Sequence, residues 1–136
     1  MQNPPPVQTA KSSTGLDENV AALLAYIATW VSGLVFFLIE KDSRFVRFHA
    51  MQAILLGASA TIIGIVLWIV WFFGLIIGAA VSDVLAGLIS VVLGLLLFVF
   101  SIGVLIAIVM CLIKAYQMQY FKLPVIGNYA EKFSMK

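Results

Sequence analysis

The sequence predicts an all-α integral membrane protein with three transmembrane helices and short interfacial segments. Three observations carry this expectation. Apolar residues make up 63% of the 136-residue chain and charged residues 10%, against roughly 45–50% and 25% in an ordinary soluble domain. The few charges are clustered, leaving uncharged stretches at 20–39, 48–82 and 84–113. Each reaches or exceeds the ~20 residues that cross a ~30 Å hydrocarbon core at 1.5 Å per residue. The layout that follows is a polar, proline-rich tail over 1–15, a membrane domain over 16–121 with spans at about 20–39, 50–77 and 84–115, and an interfacial tail over 122–136.

The opening MQNPPPVQTAKSS favours an extended, solvated segment. Thr14 lies three residues before Asp17 in a cap-like spacing, with acids in the first turn of the helix that should follow. The run VAALLAYIATWVSGLVFFLI is too long for the core of a cleaved signal peptide. It begins after acidic rather than basic residues and lacks a small-x-small cleavage site, so it reads as the first span. Ala21, Ala25, Thr29 and Gly33 recur every four residues along it. Such a stripe admits a second helix at close range, the usual basis of association where no hydrophobic effect drives it. Trp30, near the middle of the run, is expected to pack inside the bundle.

The block EKDSRFVRFHAMQ is the most distinctive part of the chain. Asp42 or Ser43 can cap a new helix whose first turns hold Arg44, Phe45, Arg47, Phe48, His49 and Gln52. With Glu40, Lys41 and Asp42 these residues read as an interfacial recognition collar, the basic side chains reaching lipid phosphates and the rings lying at the boundary. Gln52 is expected to seek a hydrogen-bond partner on another helix, and His49 to bond backbone, lipid or Gln52.

The second apolar run carries Gly57 and Gly64 among its small residues, then Trp68, Trp71, Phe72 and Phe73 as candidates for the far interface. The turn is expected over 78–83. Asp83, the one charge between the second and third spans, reads as a cap for the next helix rather than as an ion path. The third run has Ser90 and Gly94 on a small-residue face and Cys111 as a small hydrophobe. Beyond Lys114 the chain should break at Pro124, turn at Gly127 and Asn128, and close with a short amphipathic helix on the membrane surface.

With three spans, Lys41, Arg44, Arg47, Lys114, Lys122, Lys132 and Lys136 share one side and Lys11 alone lies on the other. The positive-inside rule then places the N-terminus outside and the C-terminus in the cytoplasm, with the prokaryotic plasma membrane as the expected location. A net charge of +2 gives no reason to expect nucleic acid as a partner. The sequence contains no Ser/His/Asp constellation, phosphate-binding loop or metal-ligand spacing. No catalytic residue, metal or cofactor is therefore expected, and the reading is of a protein that is not an enzyme. The partners expected are the lipid bilayer and either a second copy of the chain or another membrane protein.

The stretch GLDENVAALLAYIATWVSGLVFFLIEKDSRFVRFHAMQAILL and the later YFKLPVIGNYAEKF resemble a widespread family of small prokaryotic membrane proteins. That family is grouped with the Tic-twenty component of the chloroplast inner-envelope import machinery. The likeness runs over 16–133, and its specific parts are E-K-D-x-x-F-V-R-F-H-A-x-Q at 40–52 and K-L-P-x-I-G at 122–127. The resemblance implies a non-enzymatic component of protein translocation or insertion, or a related pore, although the plant members are described with four spans where this chain reads as three. The alternative is a scaffold or accessory subunit that binds another membrane protein or anionic lipid.

Overall fold

The computed structural model describes residues 11–134; the expectation for the proline-rich segment over 1–10 lies outside them. The regular elements among the described residues are all helices: α1 (Glu18–Ile27), α2 (Trp30–Ile39), α3 (Arg44–Val81), α4 (Asp83–Tyr116) and α5 (Ile126–Ser134). Among the described residues, only α3, with 38 residues, and α4, with 34, are long and apolar enough to cross a membrane.

The expected first span is corrected here, because 20–39 is not one helix. It is broken after Ile27, where Thr29 takes φ +51° and ψ −115°, a region that costs a non-glycine residue ~1–3 kcal/mol. Ser32 closes the break from the next turn: its hydroxyl accepts the Ala28 N–H at 2.9 Å and donates to the Ala25 carbonyl at 2.8 Å. The ten-residue helices on either side are ~15 Å long, half a hydrocarbon core. They pack against each other as a hairpin, and its two ends are tied where Ser13, just before α1, meets Glu40 and Asp42, just after α2. Trp30 is exposed rather than packed inside, as are Val31, Leu34, Val35 and Leu38 on the same helix.

The caps agree with expectation at α3, where Ser43 is one of the two candidates, and differ at α1 and α4. Asp17 precedes α1 without a side-chain cap bond, and the Thr14 hydroxyl instead meets that of Ser12 at 2.6 Å. Ser43, not Asp42, starts α3, its hydroxyl accepting the Val46 N–H at 3.2 Å. The turn expected over 78–83 shrinks to Ser82, whose hydroxyl accepts the Leu85 N–H at 3.1 Å, so Ser82 performs the capping expected of Asp83. Gly127 and Asn128 lie inside α5, and the chain turns before them at Val125, φ +66°.

The chain divides into two compact units. One contains α1, α2, α5, the part of α3 up to Ala58 and the part of α4 from Ala107. Its core gathers Ala22, Tyr26, Phe45, Ala53, Leu56, Cys111, Ala115 and Leu123. The other, Ser59–Ile106, is an antiparallel pair formed by the rest of α3 and α4. Close approach at its turn depends on Gly78, where a Cβ would stand 2.9 Å from Ile89 Cδ1 and 3.0 Å from Ala86 Cα. Most large apolar side chains of this pair are exposed, including Ile62, Val66, Trp68, Phe73, Leu88, Val92 and Phe98. That surface suits lipid and not water. Among the described residues, one buried side-chain polar atom lacks a partner, Trp71 Nε1.

Candidate functional site

The chemically able side chains converge in the first unit, around the start of α3. His49 and Gln52 stand three residues apart, so they share a face of the helix. Both are fully buried, as are Tyr26 on α1 and Cys111 on α4. Polar atoms among apolar helices must find partners in the protein, and here they find one another.

The hydrogen-bond roles follow from the acceptors. The Gln119 carbonyl can only accept, so His49 Nε2 carries the hydrogen of that 2.9 Å bond. In the neutral ring Nδ1 is then the acceptor, and the Tyr26 hydroxyl donates to it at 2.8 Å. Gln52 is fixed the same way. Its Oε1 accepts the Leu123 N–H at 3.3 Å, while its Nε2 donates to the Phe121 carbonyl at 2.9 Å and to the Tyr26 oxygen at 3.0 Å. Cys111 Sγ lies 3.5 Å from the same nitrogen. Two side chains of α3 thus hold the segment after α4 at three backbone groups and tie it to α1.

Aromatic rings enclose this hub. Phe45, Phe48 and Tyr26 meet the His49 ring edge-on at centroid distances of 4.6, 5.2 and 5.7 Å. Tyr120 packs on Phe45 and Phe48 at 5.1 and 5.4 Å. Such pairs contribute ~0.5–1.5 kcal/mol each beyond the area they bury.

A second polar cluster closes the α1–α2 hairpin. Buried Glu40 accepts from the N–H groups of Ser13 (3.0 Å), Asp42 (3.1 Å) and Ser43 (2.9 Å) and from the Ser13 hydroxyl (2.8 Å). Burial alone would raise the carboxyl's pKa, but these donors together outweigh it and hold Glu40 below the ordinary carboxylate range. Arg47 turns back over the Phe37 ring, 4.3 Å from its centroid, and donates to the Glu40 carbonyl at 2.8 Å and to that of Phe37 at 3.3 Å.

The residues read from the sequence as a collar therefore separate. Glu40, Phe45, Phe48, His49 and Gln52 are buried in the protein, Arg47 is half-buried against its own chain, and Lys41, Asp42 and Arg44 are exposed. The boundary position expected of Phe45 and Phe48 is corrected to an inward one, because both rings are buried against protein, whereas Gln52 finds the partner on another helix expected of it and His49 the backbone partner. Of the small-residue positions, Ala21 and Ala25 are buried and Thr29 forms the hairpin tip. Gly33 lies against Ala50 and Ala53 of α3. Gly57 faces the break in the hairpin, where a Cβ would stand 2.6 Å from Trp30 N and 2.9 Å from Thr29 Cβ. In the other unit Gly64 is in ordinary contact with Phe100, Ser90 is half-buried, and Gly94 has open space beside it. Sequence reasoning missed Ser13, Tyr26 and Cys111 as partners. The available signal was that Tyr26 and Cys111 are polarisable or polar groups inside apolar runs, where hydrocarbon offers them nothing to bond.

Comparison with known proteins gives the family. The chain is 34% identical over 124 residues to a UPF0132 membrane protein of Methanocaldococcus jannaschii, covering 91% of this chain and 94% of the relative. A second protein of that name from the same organism is 30% identical, over 88% of this chain and 71% of the relative. A UPF0132 membrane protein of Archaeoglobus fulgidus is 34% identical, over 86% and 95%. No solved structure matches the chain. The likeness to the Tic-twenty family is corrected by these findings, since the family profile that matches is a different one. That profile covers residues 16–130, and the chain belongs to the magnetosome magnetite crystal formation protein family, as a membrane protein.

Proposed function

We propose that this protein is a non-enzymatic membrane scaffold, with two crossing helices and a hairpin that enters the bilayer and returns. The observation that carries the reading is the fate of its reactive side chains. Tyr26, Glu40, His49, Gln52 and Cys111 are buried and committed to partners in their own chain. A group already spent on holding helices together supports assembly rather than turnover. The translocation reading rested on the resemblance now corrected, and the scaffold takes its place. The family's description ties its members to magnetite crystal formation in magnetosomes. For this chain we carry over only a membrane-embedded organising role.

The topology belongs to the same proposal. The Ser13–Glu40 tie supports placing both ends of the α1–α2 hairpin on one side, and two crossings by α3 and α4 return the chain there. The seven basic residues among those described then lie on one side, and Asp83 marks the other. The positive-inside rule makes the basic side cytoplasmic, with Lys11 and α5 on it. Cysteines placed singly at Lys11, Asp42, Asp83 and Lys132 test this with a membrane-impermeant maleimide. Labelling of 11, 42 and 132 from one side and of 83 from the other is expected. Labelling of 11 and 42 from opposite sides would restore a first crossing and overturn the reading.

A further inference from the structure

α5 is held face-inward along one side. Gly127, Ala130 and Ser134 are buried, and a Cβ at Gly127 would stand 2.5–2.9 Å from the Lys122 backbone and Cβ. An ion pair between Lys122 and Glu131 fixes the same register. Beside that face the helix exposes Tyr129 and Phe133, four residues apart, at 53 and 42%, and Val125, just before its first turn, is 67% exposed. Tyr129 and Phe133 stack on each other, centroids 6.3 Å apart. Lys132 borders the stripe and is exposed. Val125 takes φ +66°, a conformation unfavourable for a β-branched residue, and it points an apolar side chain away from the core.

From this geometry we infer that α5 is an interfacial anchor, with Val125, Tyr129 and Phe133 seated at the boundary between headgroups and acyl chains of the leaflet that α3 enters. The level is set by the hub: Gln119, Phe121 and Leu123, which lead into α5, are bonded to His49 and Gln52 in the opening turns of α3. Tyr116 at the end of α4 and Tyr120 in the segment after it, both exposed, add to the aromatic band expected at that depth. A helix with one exposed apolar stripe, a neighbouring face sealed against the protein and a bordering lysine lies in the interface plane.

The inference rests on the membrane topology proposed above, but its test reads depth rather than side. The full chain is reconstituted in phosphatidylcholine–phosphatidylglycerol vesicles. A polarity-sensitive dye is placed at Tyr129→Cys and, as the control, at Asn128→Cys on the neighbouring exposed face. The unsubstituted protein, with its buried Cys111, gives the labelling blank. Lipids carrying a quencher just below the headgroup should quench the 129 label severalfold more than the 128 label, with iodide showing the reverse order. Phe133→Cys should repeat the 129 result, which guards against one misfolded variant. Equal iodide access at 128, 129 and 133 would overturn the anchor. So would protection at 129 that follows protein density and ignores the lipid quencher, since a second copy of the chain would then cover the stripe. Failure of the maleimide pattern at 11 and 42 leaves these depth readings separate.

Discussion

In the unit built around α1, α2 and α5, polar side chains are buried and satisfied by one another, whereas in Ser59–Ile106 the side chains are mostly apolar and many face outward. The first has a core that would be recognisable in a soluble protein, with aromatic rings around a histidine and a carboxylate over backbone N–H groups. The second has glycine-mediated approach of two helices and a surface that only lipid would solvate. The difference teaches where specificity resides in so apolar a chain. Apolar contacts in hydrocarbon gain little from association, because lipid is as good a partner. Buried hydrogen bonds gain more, because leaving them unmade is costly.

The sharpest break of this comparison is Gln52→Leu. It leaves the Phe121 carbonyl and the Leu123 N–H unpaired, and with the lost Tyr26 contact a destabilisation of about 4 kcal/mol is expected. A large fall in the thermal midpoint of the detergent-solubilised protein, followed by circular dichroism, would show it. Next is Gly57→Ala, whose Cβ would meet backbone at Trp30 N. It is expected to cost about 3 kcal/mol, read in the same way.

Glu40→Gln removes the charge under three N–H donors and is expected to cost about 2 kcal/mol. The pH dependence has a definite sign. Because the folded carboxyl is held below its ordinary value, its contribution is fully present above the usual carboxylate range and is lost as pH falls below that range through the lowered folded value. A dye at Lys11→Cys should become more mobile on acidification in the parent protein, and already be mobile at neutral pH in the Glu40→Gln protein. The smallest effect is Gly94→Ala in the other unit. With open space beside it, the added methyl is expected to stabilise the helix by ~0.5–1 kcal/mol. Opposite signs for alanine at Gly57 and at Gly94 would confirm that the two units are held by different means; equal costs would dissolve the distinction.

Much of the architecture was legible before any coordinates. Uncharged length marked α3 and α4 because the bilayer imposes it, and the break near Pro124 followed from ring chemistry. The first apolar run was misread because length and composition are the same for one 20-residue span and for two half-helices. What separates them is Ser32 bonding across the break and Gly57 admitting the tip, and both depend on partners elsewhere in the chain. The collar was misread for a related reason. Arginine, phenylalanine and histidine beside an apolar run fit a membrane surface, and only the arrival of Tyr26, Gln119 and Phe121 turns part of that block inward.

By itself, then, the sequence determined that the chain is helical and embedded in a membrane, and which stretches are apolar enough to cross. These properties are summed along the chain and need no knowledge of neighbours. Tertiary structure alone decided that the first run folds back on itself, that Glu40 holds Ser13, and that His49 and Gln52 bind the segment leading to α5. Those outcomes join residues up to 71 positions apart, and hydrogen bonds over such separations are specified by packing, which no local pattern encodes.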